Sequence, residues 1–403
     1  MKLIFESWRN FRRLNEGVDP RTIEKIESAI RGSGGESYIV GGAVRDELIP
    51  NTPESKDVDF LIRNLTYDQI KNSIQHLGKV SEEVGATFGV LTATIDGEEF
   101  DFAIPRTSET KTGEKHSDFQ VTLDPTAPIE SDLSRRDFTI NALAKDSQGN
   151  IVDMFGGQED IRAGIIRAVG NADERFAEDP LRMFRAIQFA TRFDFTIEDK
   201  TASAIRNNLD KLGTVAGQRI LIELGKAWTK GSANSDRLID LLESTGVGKR
   251  IFGEDFNPLP VNIRHGDKVL GNAMAFFVNG GDYMKLRPTT KMIEHIEMIR
   301  LAVQGEELLN YVRRNTNQRG SLALLGEVLE QIEYHNIAAN IKHVLDSNLP
   351  LTVKELAIGG RELVQSGYKG TEIGRAHAMI LQAVHAGEVS NSYNDILDFL
   401  EEQ

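Results

Sequence analysis

Four short runs with strand character crowd between residues 38 and 103, and after about residue 166 the apolar spacing turns helical nearly to the end of the chain. The runs are Tyr38-Ile39-Val40, Val58-Asp59-Phe60-Leu61-Ile62, Val90-Leu91-Thr92-Ala93-Thr94-Ile95 and Glu99-Phe100-Asp101-Phe102-Ala103. The last two meet across Asp96-Gly97, a pair that favours a two-residue hairpin. This division predicts an α/β domain with a small mixed sheet followed by an all-α remainder. A chain of 403 residues exceeds one ordinary core, so units in series are expected. They are an N-terminal helical extension over 1–35, ending at Gly32-Ser33-Gly34-Gly35, a head over 36–165, a helical neck over 166–230 and a helical body and tail over 231–403.

Composition removes whole classes of chemistry. There is no cysteine, which excludes disulfides, thiolate nucleophiles and cysteine-ligated metal centres. The eight histidines form neither a close pair nor a histidine–aspartate dyad, so any metal chemistry must run through carboxylates. No apolar run approaches membrane-spanning length, and Glu6 and Arg9 interrupt the stretch where a secretory signal needs apolar residues, so a cytoplasmic protein without membrane association is expected. The net charge of −14 argues against nonspecific coating of nucleic acid, and any RNA site has to be a local basic patch.

The residues that carry chemistry lie in order along the head. Ser37 to Ile49 reads as strand, Gly41-Gly42 turn and helix, a geometry in which backbone N–H groups at a helix start face a phosphate, with Arg45 able to add a charge-assisted contact. A tight strand-to-helix turn is the plainer alternative. In Asp57-Val58-Asp59 the two carboxylates share one face of a strand while Val58 turns inward, which suits magnesium and the two-metal chemistry of phosphoryl transfer. Asp101 is the candidate third carboxylate, although Glu99 shares its face. In Ser134-Arg135-Arg136-Asp137-Phe138-Thr139-Ile140-Asn141 a helix would place Asp137 and Asn141 together to bind one ligand, such as a ribose, with Arg136 reaching phosphate. A solvated helix face is equally compatible. Asp179-Pro180 predicts a helix start, with Leu181, Phe184 and Ile187 as its core stripe and Asp179, Arg182, Arg185 and Arg192 on the remaining arc. Asp179 and Arg182 either form an intrahelical ion pair or present an acceptor and donors to the edge of an incoming base.

The succession GGAVRD, DVDF, SRRDFTINALA, DMFGGQEDI at 153–161 and AEDPLRMFRAIQFATRF at 177–193 resembles the class II tRNA nucleotidyltransferase and bacterial poly(A) polymerase family. The resemblance implies a polymerase-beta-like nucleotidyltransferase head followed by an all-α neck, body and tail. It also implies Gly42 and Arg45 at the nucleotide and Asp57 and Asp59 at the magnesium ions, beside which the residue reading sets Gly41 and Asp101, and it implies Arg136, Asp137 and Asn141 around ribose and phosphates. Asp153, Gly156, Gly157 and Asp160 correspond to a hinge between head and neck. The resemblance further implies that Asp179 and Arg182 select CTP or ATP by their base edges and that Arg185 contributes to nucleotide binding. Residues 105–113 resemble a mobile loop, 215–228 a neck helix with Arg219, Glu223 and Lys226 along one side, and 356–380 a tail element with Gly360, Gly367 and Gly374 at its turns. The implied activity is template-independent, Mg2+-dependent addition of C, C and A to the 3′ end of tRNA, with tRNA, CTP and ATP as partners and no protein partner evident. Poly(A) polymerase and partial CC- or A-adding activity are the alternatives within the family. A catalytically silent RNA-binding protein, or a transferase acting on a small molecule or a protein, are the alternatives outside it. Residues 1–34 and 256–350 match nothing in the resemblance.

Overall fold

The computed structural model describes residues 18–52, 57–81, 89–111, 119–230, 234–263, 267–304, 319–346, 349–350 and 353–402. The chain divides into two compact units, Met1–Val215 and Ala216–Gln403. That boundary cuts the segment expected as one neck. Residues 166–215 pack with the sheet-bearing unit, where Thr201 Oγ1 accepts the backbone N–H of Ala168 at 3.1 Å and Phe138 bridges Ala168.

The first unit is built on a mixed sheet. Its strands are β1 (Glu36–Val40), β2 (Val58–Arg63), β3 (Gly78–Val80), β4 (Val90–Ile95), β5 (Glu98–Ala103), β8 (Leu143–Asp146) and β9 (Ile151–Asp153), in the spatial order β3-β4-β5-β2-β1-β8-β9. Only the central pair, β2 with β5, runs parallel. All four strand-like runs are strands, and Asp96 and Gly97 both hold positive φ, +52° and +87°, as a tight hairpin turn of this hand requires. Phe60 packs on Phe100 and Phe102 at ring separations of 6.0 and 5.4 Å, giving the sheet centre an aromatic face.

Helix α1 (Pro20–Gly32) opens on Asp19, whose carboxylate accepts the Arg21 N–H at 2.9 Å, and has proline in its first turn. It is part of this unit rather than a detached extension. Ile26 and Ile30 are fully buried, and Thr22 Oγ1 and Lys25 Nζ each donate to Asp96 Oδ2 at 2.8 Å, tying the helix to the β4–β5 turn. Helix α2 (Gly42–Leu48) follows β1 directly, and α3 (Tyr67–Ile74) starts on a capping box of Thr66 with Gln69.

Two segments differ from expectation. Residues Arg106–Lys111 form β6, paired antiparallel with β7 (Phe119–Leu123), where a mobile loop was expected; Thr112 and Gly113 lie outside the described residues. Polar β-branched residues on both sides of the tip favour a ribbon, whereas the loop had been expected from the resemblance and from glycine, threonine and lysine content. The second is the stretch after α4 (Ile129–Leu133): no helix runs through 134–143, and Thr139–Asn141 form one 3-10 turn before β8. Every residue from Asp137 to Leu143 is buried, whereas a helix on the surface of this unit would leave one face to solvent.

Helix α5 (Gly157–Ala163), the strand pair β10 (Ile165–Ile166) and β11 (Thr196–Ile197), α6 (Ala172–Glu178), α7 (Leu181–Phe193) and α8 (Asp199–Asn207) complete the unit. The glycines at 156 and 157 have steric reasons: Gly156 holds φ +76°, and a β-carbon on Gly157 would run into the Thr139 carbonyl oxygen. Asp153 accepts the N–H groups of Gly157 and Gln158 at 2.9 Å each, and Asp160 accepts from Thr139 Oγ1 at 2.6 Å.

The second unit is helical throughout its described residues. Helices α9 (Gly217–Thr229), α10 (Ser235–Thr245), α11 (Val247–Phe252), α12 (Lys268–Phe277) and α13 (Thr290–Val303) enclose an aromatic core in which Phe252 and Phe256, and Phe256 and Phe276, lie 4.6 and 4.9 Å apart and Trp228 meets Phe276 edge to face. Helices α14 (Arg319–Gln331) and α15 (His335–Asp346) follow. The tail, α16 (Gly360–Gln365), α17 (Thr371–Ala386) and α18 (Tyr393–Glu401), has its own apolar centre of Ile358, Leu363, Ile380, Val384 and Ile396. Gly367 holds a turn at φ +99°, whereas Gly374, expected at a turn, lies within α17.

Candidate active site

The site begins at the end of β1. Gly41 leaves the strand at φ +71°, its carbonyl oxygen accepts the Arg45 N–H at 3.0 Å, and α2 starts at Gly42. Val40 pairs with Asp59 and Asp59 pairs with Asp101, so the glycine bend, the second carboxylate of the Asp57-Val58-Asp59 motif and the candidate third carboxylate stand abreast at one level of the sheet. Val58 and Phe60 are buried while Asp59 between them is exposed, so the pleat directs the carboxylates away from the core.

Asp57 lies one residue before β2 and is exposed. Asp101 accepts from Thr92 Oγ1 at 2.5 Å across the β4–β5 pair. The Asp59 carboxyl is pushed up to about 6 by the protein packed around it, then by the negative charge of Asp101 and of Asp57, with Arg136 opposing. Asp59, whose charge its acidic neighbours disfavour, offers with Asp101 hard oxygen donors that a divalent cation would suit. Among the described residues no three histidine, aspartate or glutamate side chains are already drawn together to hold one ion. Mg2+ characteristically takes one or two protein carboxylates and completes its shell from phosphate oxygens and water, and the Asp59–Asp101 pair fits that pattern. Glu99 lies one pleat further along β5, paired with Thr94, which makes Asp101 the partner of Asp59.

Arg136 supplies the positive charge. Its Nη1 lies against Gly41 where a β-carbon would otherwise be and donates to the Asn141 carbonyl oxygen at 3.4 Å. Asp132, buried, holds it: Asp132 Oδ2 accepts from Arg136 Nε and Nη2 at 3.2 and 2.9 Å, while Oδ1 pairs with Arg135. Burial opposes ionisation of Asp132, but Arg136 and Arg135 together hold its carboxyl below the usual carboxylate range.

Arg45, expected at a phosphate, is sealed in a buried cluster. It is 4 % exposed, its Nε and Nη2 bind Asp46 Oδ1 at 2.8 and 2.6 Å, its Nη1 donates to Asn141 Oδ1 at 2.5 Å, and it is flanked by the rings of Phe189 and Phe193. Burial draws its pKa down, with the Asp46 charge opposing. Arg192 closes this buried cluster on Asp46 Oδ2 at 3.0 Å. Asp137 and Asn141 do meet, but through the 3-10 turn and bonded to each other: Asn141 Nδ2 donates to Asp137 Oδ1 at 2.9 Å, and Asp137 Oδ2 accepts from Arg185 Nε at 2.7 Å. Desolvation raises the Asp137 carboxyl, yet Arg185 and Asn141 outweigh it and hold the group low. Both side chains are thereby held against Arg185 and each other.

Asp179 stands at the start of α7, accepting the Leu181 N–H at 3.2 Å, and Leu181, Phe184 and Ile187 are buried as expected. Arg182 pairs with Glu178 at 2.8 Å, where the sequence had offered Asp179, and its Nη2 donates to the Arg135 carbonyl oxygen at 2.9 Å. Sequence reasoning missed Asp132, Asp46 and Glu178. Asp132 had a signal, since it stands four residues before Arg136.

Residues 37–167 match the family described as Poly A polymerase head domain, and 194–257 the family described as Probable RNA and SrmB-binding site of polymerase A. The CCA-adding enzyme of Pediococcus pentosaceus is 33 % identical over 368 residues, covering 87 % of this chain and 89 % of the relative. Two solved structures share the fold: the Bacillus stearothermophilus CCA-adding enzyme in complex with CTP, at TM-score 0.73 and 23 % identity over 96 % of this chain and 98 % of that one, and the Thermotoga maritima CCA-adding enzyme complexed with tRNA, at TM-score 0.67 and 20 % identity over 96 % of each. Sequence kinship over most of its length and a head laid out around an in-register carboxylate pair agree: the chain belongs to the family of CCA-adding enzymes, the class II tRNA nucleotidyltransferases.

Proposed function

We propose that the protein adds C, C and A, taken from CTP and ATP, to the 3′ end of tRNA without a nucleic-acid template. The observation that carries this reading is the level pairing of Asp59 with Asp101 beside the Gly41–Gly42 bend, in a chain 33 % identical to a CCA-adding enzyme. Enzymes of this family are nucleotidyltransferases that need a divalent metal; Mg2+ is the ion proposed here, held by Asp59 and Asp101 with Asp57 at its margin. Bound there, it supplies Lewis-acid stabilisation of the transferring phosphoryl group and lowers the pKa of the attacking 3′-hydroxyl.

The remaining roles belong to the chain itself. Arg136 and the backbone N–H groups at the start of α2 bind the triphosphate. Asn141, Asp137, Arg185 and Arg45 hold one another in place. Asp179 and Arg182 read the base edge, and the contacts of Arg182 to Glu178 and to the Arg135 carbonyl fix the plane of its guanidinium, so that protein donors take the place of a template strand. Arg136 faces the carboxylates, while Arg182, on α7, reaches the Arg135 carbonyl one peptide away. No helix among the described residues is long and apolar enough to cross a membrane, and cytoplasmic action on tRNA and free nucleotides is proposed.

The test is incubation of the purified protein and Mg2+ with tRNA lacking its last three nucleotides, each nucleoside triphosphate being supplied alone and together, and the products sequenced. Addition that stops after C, C and A is expected. Long A tails would move the reading to poly(A) polymerase, stopping after CC or adding only A to a partial acting enzyme, and no incorporation by folded protein to a silent RNA-binding role.

A further inference from the structure

We propose that Asp132 is a positioning residue that couples triphosphate binding to base selection by holding two arginines with one buried carboxylate. This rests on the proposed nucleotide addition and assigns a part of the machinery that no motif reading reached.

The geometry is specific. Asp132 is 2 % exposed, and each of its oxygens is committed to a different guanidinium, Oδ1 to Arg135 and Oδ2 to Nε and Nη2 of Arg136. Arg136 is thereby held edge-on against Gly41, its remaining terminal nitrogen turned toward the Asn141 carbonyl and the acidic end of β2. Through Arg135 the carboxylate acts a second time, because the Arg135 backbone oxygen accepts from Nη2 of Arg182 at 2.9 Å. The neighbouring carbonyl, that of Ser134, accepts from Nη1 of Arg175 at 3.2 Å, and Arg175 also pairs with Glu178, the other anchor of Arg182. One acid thus fixes the cation beside the glycine bend and, one peptide away, the carbonyl that orients the base-reading arginine. A surface acid spaced four residues from an arginine does neither, since it is free to trade partners with water.

An amide in place of the acid keeps the size and removes the arrangement: its oxygen can serve one guanidinium, while its NH2 faces the N–H groups of the other, donor against donor. The experiment measures binding of CTP, ATP and inorganic tripolyphosphate by titration calorimetry, together with kcat, KM and misincorporation of UTP and GTP on tRNA lacking its end. Asp132→Asn is expected to weaken all three ligands about tenfold, to raise KM more than it lowers kcat, and to relax base choice. Asp132→Glu, which keeps the charge, should recover part of each loss. If Asp132→Asn does not fold, the Glu variant alone decides, because a longer stem moves both arginines and must still weaken tripolyphosphate. A folded Asp132→Asn variant that binds tripolyphosphate within twofold of the parent protein, or that loses melting temperature alone, overturns the proposal, as does an Asp132→Glu variant that binds no better than a folded Asp132→Asn. A parent protein that binds nucleotides but adds none overturns the addition reading and leaves the binding comparison standing, whereas a parent that binds no triphosphate overturns both.

Discussion

A β-carbon on Gly41 would run into Nη1 of Arg136, and Gly41 holds φ +71° and ψ −120°, a conformation that side chains resist. The bend and the arginine are one device: the missing side chain makes the space that the guanidinium fills. Gly41→Ala is expected to cost about 1–3 kcal/mol of stability from backbone strain and, in the protein that remains folded, to displace Arg136 and weaken triphosphate binding. Urea unfolding and a CTP titration check the two parts separately, and an Ala variant with unchanged affinity would refute the link between them.

Asp59 should trade stability for activity. Its raised carboxyl means that the folded state holds the proton more tightly than the unfolded chain does, so the stabilisation is present at low pH and is lost as pH climbs from about 4 through about 6. Above that range the ionised group sits among like charges. Asp59→Asn is therefore expected to raise the unfolding free energy at pH 7.5, and the melting temperature with it, by no more than about 1 kcal/mol because solvent screens this exposed group, to leave both unchanged at pH 4, and to abolish nucleotide incorporation. A melting temperature that falls at pH 7.5 would show that the acids do not repel one another. By the same titration, incorporation at subsaturating Mg2+ should rise with pH through about 6 and then level off.

The register separates the two candidates for the third carboxylate. Asp101 is level with Asp59, and Glu99 is one pleat away and paired with Thr94. Asp101→Asn is expected to lower kcat by about 100-fold or more, and Glu99→Gln to leave it within about twofold. Single-turnover incorporation into tRNA lacking its end measures both, and the reverse order would transfer the role to Glu99.

Asp46→Asn tests the buried cluster behind the site. Asp46 compensates Arg45 and Arg192, both on its two oxygens, and removing its charge leaves guanidinium groups in an apolar setting between Phe189 and Phe193. A loss of about 3 kcal/mol in unfolding free energy is expected. A stability unchanged within experimental error would mean that water already solvates these arginines.

Local pattern made much of the head legible. Asp96-Gly97 announced its hairpin because only a few residue pairs tolerate two positive φ values, and Asp57-Val58-Asp59 announced its exposed face because a pleat has period two. What stayed hidden depends on long-range partners. Arg45 reads as a ligand-seeking arginine in a motif, and only the packing of α7 on α2 shows it sealed under two phenylalanine rings. The meeting of Asp137 with Asn141 was foreseen for the wrong reason, since an α-helix and a 3-10 turn can both bring residues four apart together. Arg106–Lys111 could not be read as a strand from its own residues, because its pairing with Phe119–Leu123 is what makes it one.

The parallel pairing of β2 with β5 has a consequence for how the enzyme comes into being. Asp59 and Asp101 belong to strands that become neighbours only after α3, β3 and β4 have been made and folded back between them, since a parallel pair needs a crossover. A chain still emerging from the ribosome at β4 has one acid of the pair and nowhere to put the other. The two acids of the pair therefore stand side by side only once β5 has been made and has docked on β2.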